Sequence, residues 1–213
     1  MKLSSALVSV LTMFVVGVVV GNLFQSPPPQ VNIPVAPNDG SGYEIKYPEH
    51  PTRRQSQILG LAFDIAKRDG HKYPQLLQGI ILQETLAGDL KRYKVIGQEF
   101  GLKPNQRYYG VSQIKLAATW EVLRRYPEMW EQFAFNTHTD EEIIAKLVDD
   151  DHFNMAVASK YLLILGERGY DTMASLACAY NKGAGGARKT DPKTDPYSMG
   201  VMAHIGVIAR NGQ

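Results

Sequence analysis

A carboxylate lies on the apolar side of a predicted helix in the first half of the chain. Four residues recur there at spacings of three and four: Leu77, Ile80, Ile81 and Glu84. In a helix this spacing puts them on one face, so the acid packs against apolar side chains. Loss of hydration then raises its pKa, and a Glu that stays protonated near neutral pH can donate a proton to a leaving group. The alternative is a Glu tolerated at a frayed helix end, since Gly88 is typical of a C-terminal stop.

Two later stretches place hydrogen-bonding side chains beside glycines. In the run YGVSQI, which begins at Tyr109, the glycine precedes a predicted helix and Gln113 lies in its first turn. In the run AYNKG, Tyr180 and Asn181 lie at the predicted end of another helix, before the glycine. Together with Glu84 these stretches are interpreted as one site. Two alternatives stay open, namely a half-buried core position for Tyr180 and a water-facing helix position for Gln113.

These stretches resemble the motifs of the soluble lytic transglycosylase domain, a lysozyme-like fold that cleaves the glycan of peptidoglycan. The resemblance covers residues 76–187. The motif elements stand here, in order, as Glu84-Thr85, Gly110-Val111-Ser112-Gln113-Ile114, Asn154 before Tyr161-Leu162, and Ala179-Tyr180-Asn181-Lys182-Gly183. The chain departs from the family pattern at Thr85, where the family has Ser, and at Ser112, where it has Met. The family's Ser-x-x-Gly-Ala run is replaced by residues 104–109.

The resemblance implies an all-α, lysozyme-like domain with a substrate groove and a peptidoglycan lytic transglycosylase activity, a lyase reaction on a polysaccharide. It implies that Glu84 is the single acid and base, which protonates the leaving oxygen and then takes a proton from the muramic 6-hydroxyl to close a 1,6-anhydro ring. Gln113 and Asn181 are expected to hold amides and hydroxyls of the substrate, and Tyr180 to orient Glu84 or the N-acetyl group. The residues expected to bind substrate are Thr85, Tyr109, Ser112, Gln113, Tyr180 and Asn181.

Acidic partners for Glu84 are hard to find in the sequence. An ordinary glycosidase pairs its acid with a second carboxylate that activates water or attacks the sugar. Asp89 and Glu99 fall in an irregular segment, and the run at 149–151 is typical of a solvated helix cap. The rival interpretations are a goose-type muramidase on the same fold, which releases reducing ends, and a non-catalytic peptidoglycan-binding or scaffold protein.

The chain divides into three predicted parts. Residues 3–24 contain no charged residue and follow Lys2, which predicts a signal anchor or signal peptide over 1–24; its length favours the uncleaved anchor. Residues 25–51 form a Pro- and Gly-rich linker, and 52–213 form the catalytic domain. The body is therefore expected in the cell envelope, on the periplasmic side of the inner membrane or exported. The expected partners are glycan strands, the membrane through the N-terminal segment, and an envelope-spanning or phage assembly.

Composition excludes several classes of site. The net charge of +2 is too small for a nucleic-acid-binding face. Cys178 is the only cysteine, so no intrachain disulfide forms, and the histidines lack paired ligand spacing, so no metal and no cofactor are expected. Lys182 is interpreted as part of a solvated loop. Helices are predicted over 52–70, 73–88, 110–125, 141–148, 151–167, 173–180 and 196–210, and no secure strand is predicted.

Overall fold

The computed structural model describes residues 51–89, 94–98 and 100–211. The described part is mostly helical, which confirms the all-α class. Its helices are α1 Arg53–Arg68, α2 Gln75–Thr85, α3 Leu116–Arg125, α4 Glu128–Gln132, α5 Asp140–Asp149, α6 Asp151–Glu167, α7 Met173–Ala187 and α8 Pro196–Asn211. Its strands are β1 Val95–Ile96, β2 Tyr108–Tyr109 and β3 Ile114–Lys115. The segment predicted to be an anchor and the linker up to residue 50 lie outside the described residues. No helix within the described ranges is long and apolar enough to span a bilayer.

Side-chain caps fix where several helices begin. The Thr52 hydroxyl accepts a hydrogen bond from the Gln55 amide at 3.2 Å, and the Gln55 side chain accepts one from the Thr52 amide at 2.8 Å. This reciprocal pair satisfies two backbone donors that an open helix end leaves unpaired. Thr139, Asp150 and Thr172 cap α5, α6 and α7 through their side-chain oxygens, and Thr172 forms a second reciprocal pair, with Ser175.

Helix α6 is the centre of the domain. Phe153, Val157 and Leu165 on this helix have no exposed surface, and the helix packs against α1, α3, α5 and α7. A helix that is apolar on nearly all sides must be surrounded in this way. The other helices therefore present their apolar stripes inward to α6 or to one another.

Helices α2 and α8 approach each other closely because glycines stand at their contact. A Cβ atom on Gly79 would lie 2.7 Å from Cγ1 of Ile205, and one on Gly200 would lie 2.3 Å from Oε1 of Gln83. Neither distance is possible for a real side chain without movement. The two glycines thus bring the first turn of α8 against the last turn of α2.

The predicted helix over 110–125 is wrong in its first six residues. Gly110 has φ +67° and Gln113 has φ +49°, and these left-handed conformations do not continue a right-handed helix. The chain instead turns between β2 and β3, and α3 begins only at Leu116. The three strands form an antiparallel sheet in the order β1-β2-β3, with Tyr109 opposite Val95 on one side and Ile114 on the other.

A buried histidine on α8 makes the fold sensitive to acid. His204 is 3% exposed, and its Nδ1 atom has no hydrogen-bond partner within the part of the chain that the structure describes. Burial lowers the pKa of His204 from 6.5 to about 4. Between these values the unfolded chain binds a proton that the folded chain does not, so stability rises with pH across this window.

We therefore expect His204 to contribute about 3 kcal/mol of acid destabilisation between pH 6.5 and 4, by linkage. Urea unfolding at a series of pH values measures it. In His204→Leu this loss should disappear, whereas His138→Gln, a change at an exposed histidine, should keep it. An identical pH dependence in wild type and His204→Leu would contradict the expectation.

Candidate active site

Glu84 lies in the last turn of α2, which ends where Leu86 adopts a left-handed conformation with φ +50°. The side chain is half-buried, and the Tyr197 hydroxyl donates a hydrogen bond to its Oε1 atom at 2.6 Å. Burial raises the pKa of Glu84 from 4.5 to about 7, and the hydrogen bond from Tyr197 acts in the opposite direction. The carboxyl is thus poised to give up and take back a proton near neutral pH.

Tyr197 is a site residue that sequence reasoning missed. It is the second residue of α8 and is brought to Glu84 by the close contact of α2 and α8. The only signal was its spacing of four and eight residues from Val201 and Ile205, which marks an inward face. The hydroxyl that bonds to Glu84 is that of Tyr197, whereas Tyr180 was expected to orient Glu84 or the N-acetyl group. The Tyr180 hydroxyl instead donates to the Ser112 carbonyl at 2.8 Å.

Asn154 fastens the β2–β3 turn to α6. Its Oδ1 atom accepts from the Ser112 amide at 2.9 Å and from the Ser112 hydroxyl at 2.6 Å. Its Nδ2 atom donates to the carbonyls of Tyr109 at 2.9 Å and Leu147 at 3.1 Å. All four hydrogen-bonding positions of the buried amide are filled. This turn is therefore held rigidly beside the end of α2.

Thr85 joins the end of α2 to the same turn. It has no exposed surface, and its hydroxyl donates to the Val111 carbonyl at 2.8 Å. The same oxygen accepts from the Gly88 amide at 3.1 Å. The residue after Glu84 thus fixes the helix end from which the acid projects.

Most of the residues expected to bind substrate are buried. Thr85 and Ser112 are fully buried, Tyr109 is 1% exposed, Gln113 3% and Tyr180 9%. Buried side chains cannot contact a glycan in this conformation, and the hydrogen bonds of these residues go to the protein. The Tyr109 hydroxyl donates to the Pro104 carbonyl at 2.8 Å, and Nε2 of Gln113 donates to the Gly110 carbonyl at 2.6 Å.

Asn181 is the exception among these six residues. It is exposed. It lies near the end of the first of two helical segments in α7, because Gly183, with φ +70°, is non-helical and interrupts the helix two residues later. The prediction of a glycine stop at this position is confirmed. Of the six residues expected to bind substrate, five are therefore buried and bonded to the protein, and Asn181 alone is exposed.

None of the carboxylates considered as partners of Glu84 is seen to pair with it in the described part of the chain. Asp150 caps α6 through the Phe153 amide at 2.9 Å, which confirms the helix cap predicted for the run at 149–151. Asp89 is exposed, and Glu99 lies outside the described residues. Among the described residues, burial and Tyr197 account for the pKa of Glu84, and no second carboxylate acts on it. In the same ranges no three His, Cys, Asp or Glu side chains group as metal ligands do.

Removing the Tyr197 hydroxyl should raise the pKa of Glu84 further. The hydroxyl donates to the charged carboxylate and so favours it, and its loss in Tyr197→Phe is expected to move the midpoint upward by about one pH unit. Carboxyl ¹³C chemical shifts of labelled glutamate, recorded against pH, measure the midpoint. Tyr180→Phe is the matched control, because that hydroxyl donates to a backbone carbonyl instead. Equal shifts in both variants would contradict a specific role for Tyr197.

The chain was compared with models of known protein families, with curated proteins and with solved structures, and none of the three comparisons found a match.

Proposed function

We propose that this protein is a peptidoglycan lytic transglycosylase that cleaves the β-1,4 bond between N-acetylmuramic acid and N-acetylglucosamine. The observation that carries the proposal is the Glu84 carboxyl, which is half-buried, bonded to Tyr197 at 2.6 Å, and has a pKa of about 7. The order of the four motif elements along the chain supports the same family. The proposed fold is lysozyme-like, with Glu84 at the floor of a groove for glycan.

The reaction that we propose uses one acid twice. The protonated Glu84 carboxyl gives its proton to the glycosidic oxygen as the bond to the muramic C1 breaks, and the N-acetyl carbonyl of the substrate supports the positive charge at C1. The Glu84 carboxylate then takes the proton of the 6-hydroxyl, and the oxygen of that hydroxyl bonds to C1. The proton returns to Glu84, the 1,6-anhydro ring closes, and no water is consumed.

The pKa of Glu84 suits both halves of this cycle. An acid with a pKa near the working pH is present in both protonation states, which is the condition for acting as acid and then as base. A hydrolase with two carboxylates needs a partner for Glu84, and within the described ranges none acts on it. The single-acid reaction therefore fits the described site better than the two-carboxylate reaction.

The proposal also covers the substrate contacts, the cellular location and the macromolecular partner of the protein. Asn181, an exposed residue next to Tyr180 in the chain, is the proposed contact to substrate hydroxyls or amides, while Asn154 and Thr85 hold the backbone of the turn beside the end of α2. We place the domain in the cell envelope, on the periplasmic side and tethered or exported through residues 1–24. Its proposed macromolecular partner is the glycan strand, in wall turnover or in an envelope-spanning or phage assembly.

Product analysis tests the proposal. Purified peptidoglycan is digested with the protein, and the soluble muropeptides are identified by mass spectrometry. The expected products are anhydro-muropeptides; products about 18 Da heavier, the mass of one water, would identify a muramidase instead. Glu84→Gln is the blank, and Glu131→Gln, at an exposed acid on α4, is the matched control that should remain active. Binding of the wall without cleavage by the wild type would indicate a non-catalytic wall protein.

A further inference from the structure

An ion pair joins α7, just before its break at Gly183, to the residue that precedes α8. Nζ of Lys182 lies 3.1 Å from Oδ1 of Asp195, whose side chain is only 2% exposed. Lys182 is exposed, as predicted, but it lies in α7 instead of a loop, and its ammonium pairs with a buried carboxylate. It occupies the variable position in the AYNKG stretch, to which the motif itself assigns no role.

The other oxygen of Asp195 caps α8. Oδ2 accepts from the Ser198 amide at 3.0 Å and from the Ser198 hydroxyl at 2.8 Å. Tyr197 lies between these two residues in the chain, so the first turn of α8, which carries it, is fixed on both sides. The same turn delivers the Tyr197 hydroxyl to Glu84 at 2.6 Å. A continuous chain of contacts thus runs from Lys182 to the carboxyl.

We propose that the Lys182–Asp195 ion pair is a positioning element that holds Tyr197 on Glu84. An effect of this ion pair on catalysis rests on the proposed function. The contact between Tyr197 and Glu84 does not depend on that function. A buried carboxylate that loses its cation is left uncompensated, so it moves towards water or takes up a proton. Either change loosens the cap at Ser198 and displaces the Tyr197 hydroxyl. A hydrogen bond weakens steeply when its geometry is disturbed.

Within the described part of the chain, ionisable groups from α7 and α8 face this chain of contacts. Glu84 faces Tyr197 of α8 and Tyr180 of α7, and the pKa values of both phenols are raised, chiefly by burial. Around Asp195, burial raises the pKa of the carboxyl, but the Ser198 groups and Lys182 outweigh it and hold the pKa below its usual value.

Cys178 is a further ionisable group near Asp195. Burial raises the pKa of this thiol, so it stays protonated at neutral pH and adds no charge. The cation at Lys182 is therefore the group whose removal changes the charge balance beside Tyr197.

A double-mutant cycle tests the proposal on the 213-residue chain. The midpoint of Glu84 is followed by carboxyl ¹³C shifts of labelled glutamate, with Glu84→Gln used to assign the signal. Lys182→Met is expected to raise the midpoint by about half a pH unit, the size of a partly lost hydrogen bond. In the Tyr197→Phe background the same change is expected to have no effect, because the contact through which Lys182 acts is already gone.

Two further variants keep the result interpretable. Asp195→Asn removes the ion pair and replaces the charged acceptor of Ser198 by a weaker, neutral one, so it should shift the midpoint in the same direction if Lys182→Met folds poorly. Arg125→Met breaks the exposed ion pair of Arg125 with Glu167, which lies 2.6 Å away, and should leave the midpoint unchanged.

An unchanged midpoint in Lys182→Met, or an equal shift with and without the Tyr197 hydroxyl, would overturn the proposal. The measurement needs no enzymatic activity. A failure of the proposed function would appear separately, as the absence of anhydro products from the wild-type protein.

Discussion

Glu84→Gln is expected to abolish cleavage of peptidoglycan while making the protein more stable at pH 8 by about 3 kcal/mol. The activity is lost because an amide cannot donate the proton that the leaving oxygen needs, nor accept one from the 6-hydroxyl. The stability rises because a neutral amide replaces a carboxylate that is held partly out of water. The Tyr197 hydroxyl keeps an acceptor, since it can donate to the oxygen of the new side-chain amide as it does to Oε1 of the acid.

The sign and the pH window follow from the two pKa values of Glu84. The folded value is about 7 and the ordinary value is 4.5, so between these pH values the folded chain binds a proton that the unfolded chain has lost. Stability contributed by Glu84 is complete below pH 4.5 and is lost as the pH rises through 7. The difference of about 2.5 pH units corresponds to about 3 kcal/mol. The variant does not titrate at this position, so its advantage should be near zero at pH 4 and complete at pH 8.

Urea unfolding of both proteins from pH 4 to pH 8 measures this difference. His204 contributes a slope of the opposite sign below pH 6.5, but it is present in both proteins and cancels in the comparison. Glu131→Gln, at an exposed acid, should show no such pH-dependent gain. A variant that is less stable than the wild type at pH 8, or a gain that does not change with pH, would contradict the burial of a protonated Glu84. Gain of stability with loss of activity is the usual signature of a group kept for function.

The parts of the fold that follow from local signals were predictable. Helix α1 begins after Thr52 because Thr52 and Gln55 form a capping box, a pattern visible in the sequence. Helix α6 runs over the predicted residues because its apolar composition and its Asp cap are local features. Glu84 was found in the same way, since its unfavourable position on an apolar face is visible from helical spacing alone. Such signals depend on residues within about two turns of one another.

The rest of the site depends on contacts between distant segments. The β2–β3 turn was predicted as helix because its apolar spacing fits one, but Asn154 and Thr85 hold its backbone in a left-handed turn from outside. Tyr197 meets Glu84 across 113 positions of sequence, and only the packing of two glycine-bearing helices brings them together. At such points tertiary contacts override the local helix propensity of the sequence. The polar residues in the YGVSQI stretch lie in the turn that contacts the end of α2, but their hydrogen bonds go to the protein and not, as expected, to a substrate.

Gly110→Ala should be among the most damaging single methyl additions in the domain, with an expected loss of at least about 3 kcal/mol in the free energy of unfolding. A Cβ atom at this position would lie 2.1 Å from Nδ2 of Asn154 and 2.3 Å from the Leu147 carbonyl oxygen. The second contact is with the backbone of α5, which cannot move without disturbing its packing. The first displaces the amide that holds Ser112 and thereby the turn beside Glu84.

Gly70→Ala separates the steric part of this effect from the conformational part. Gly70 has φ +80°, close to the +67° of Gly110, but a Cβ atom there would meet nothing within 4 Å. Its substitution should therefore cost only the left-handed backbone strain, about 1 kcal/mol. Urea unfolding of both variants at pH 7 compares them directly, and equal losses would mean that the turn yields to the added methyl. Because the turn carries the carbonyls that receive Thr85 and Tyr180, a larger loss in Gly110→Ala ties the stability of this turn to the placement of the acid.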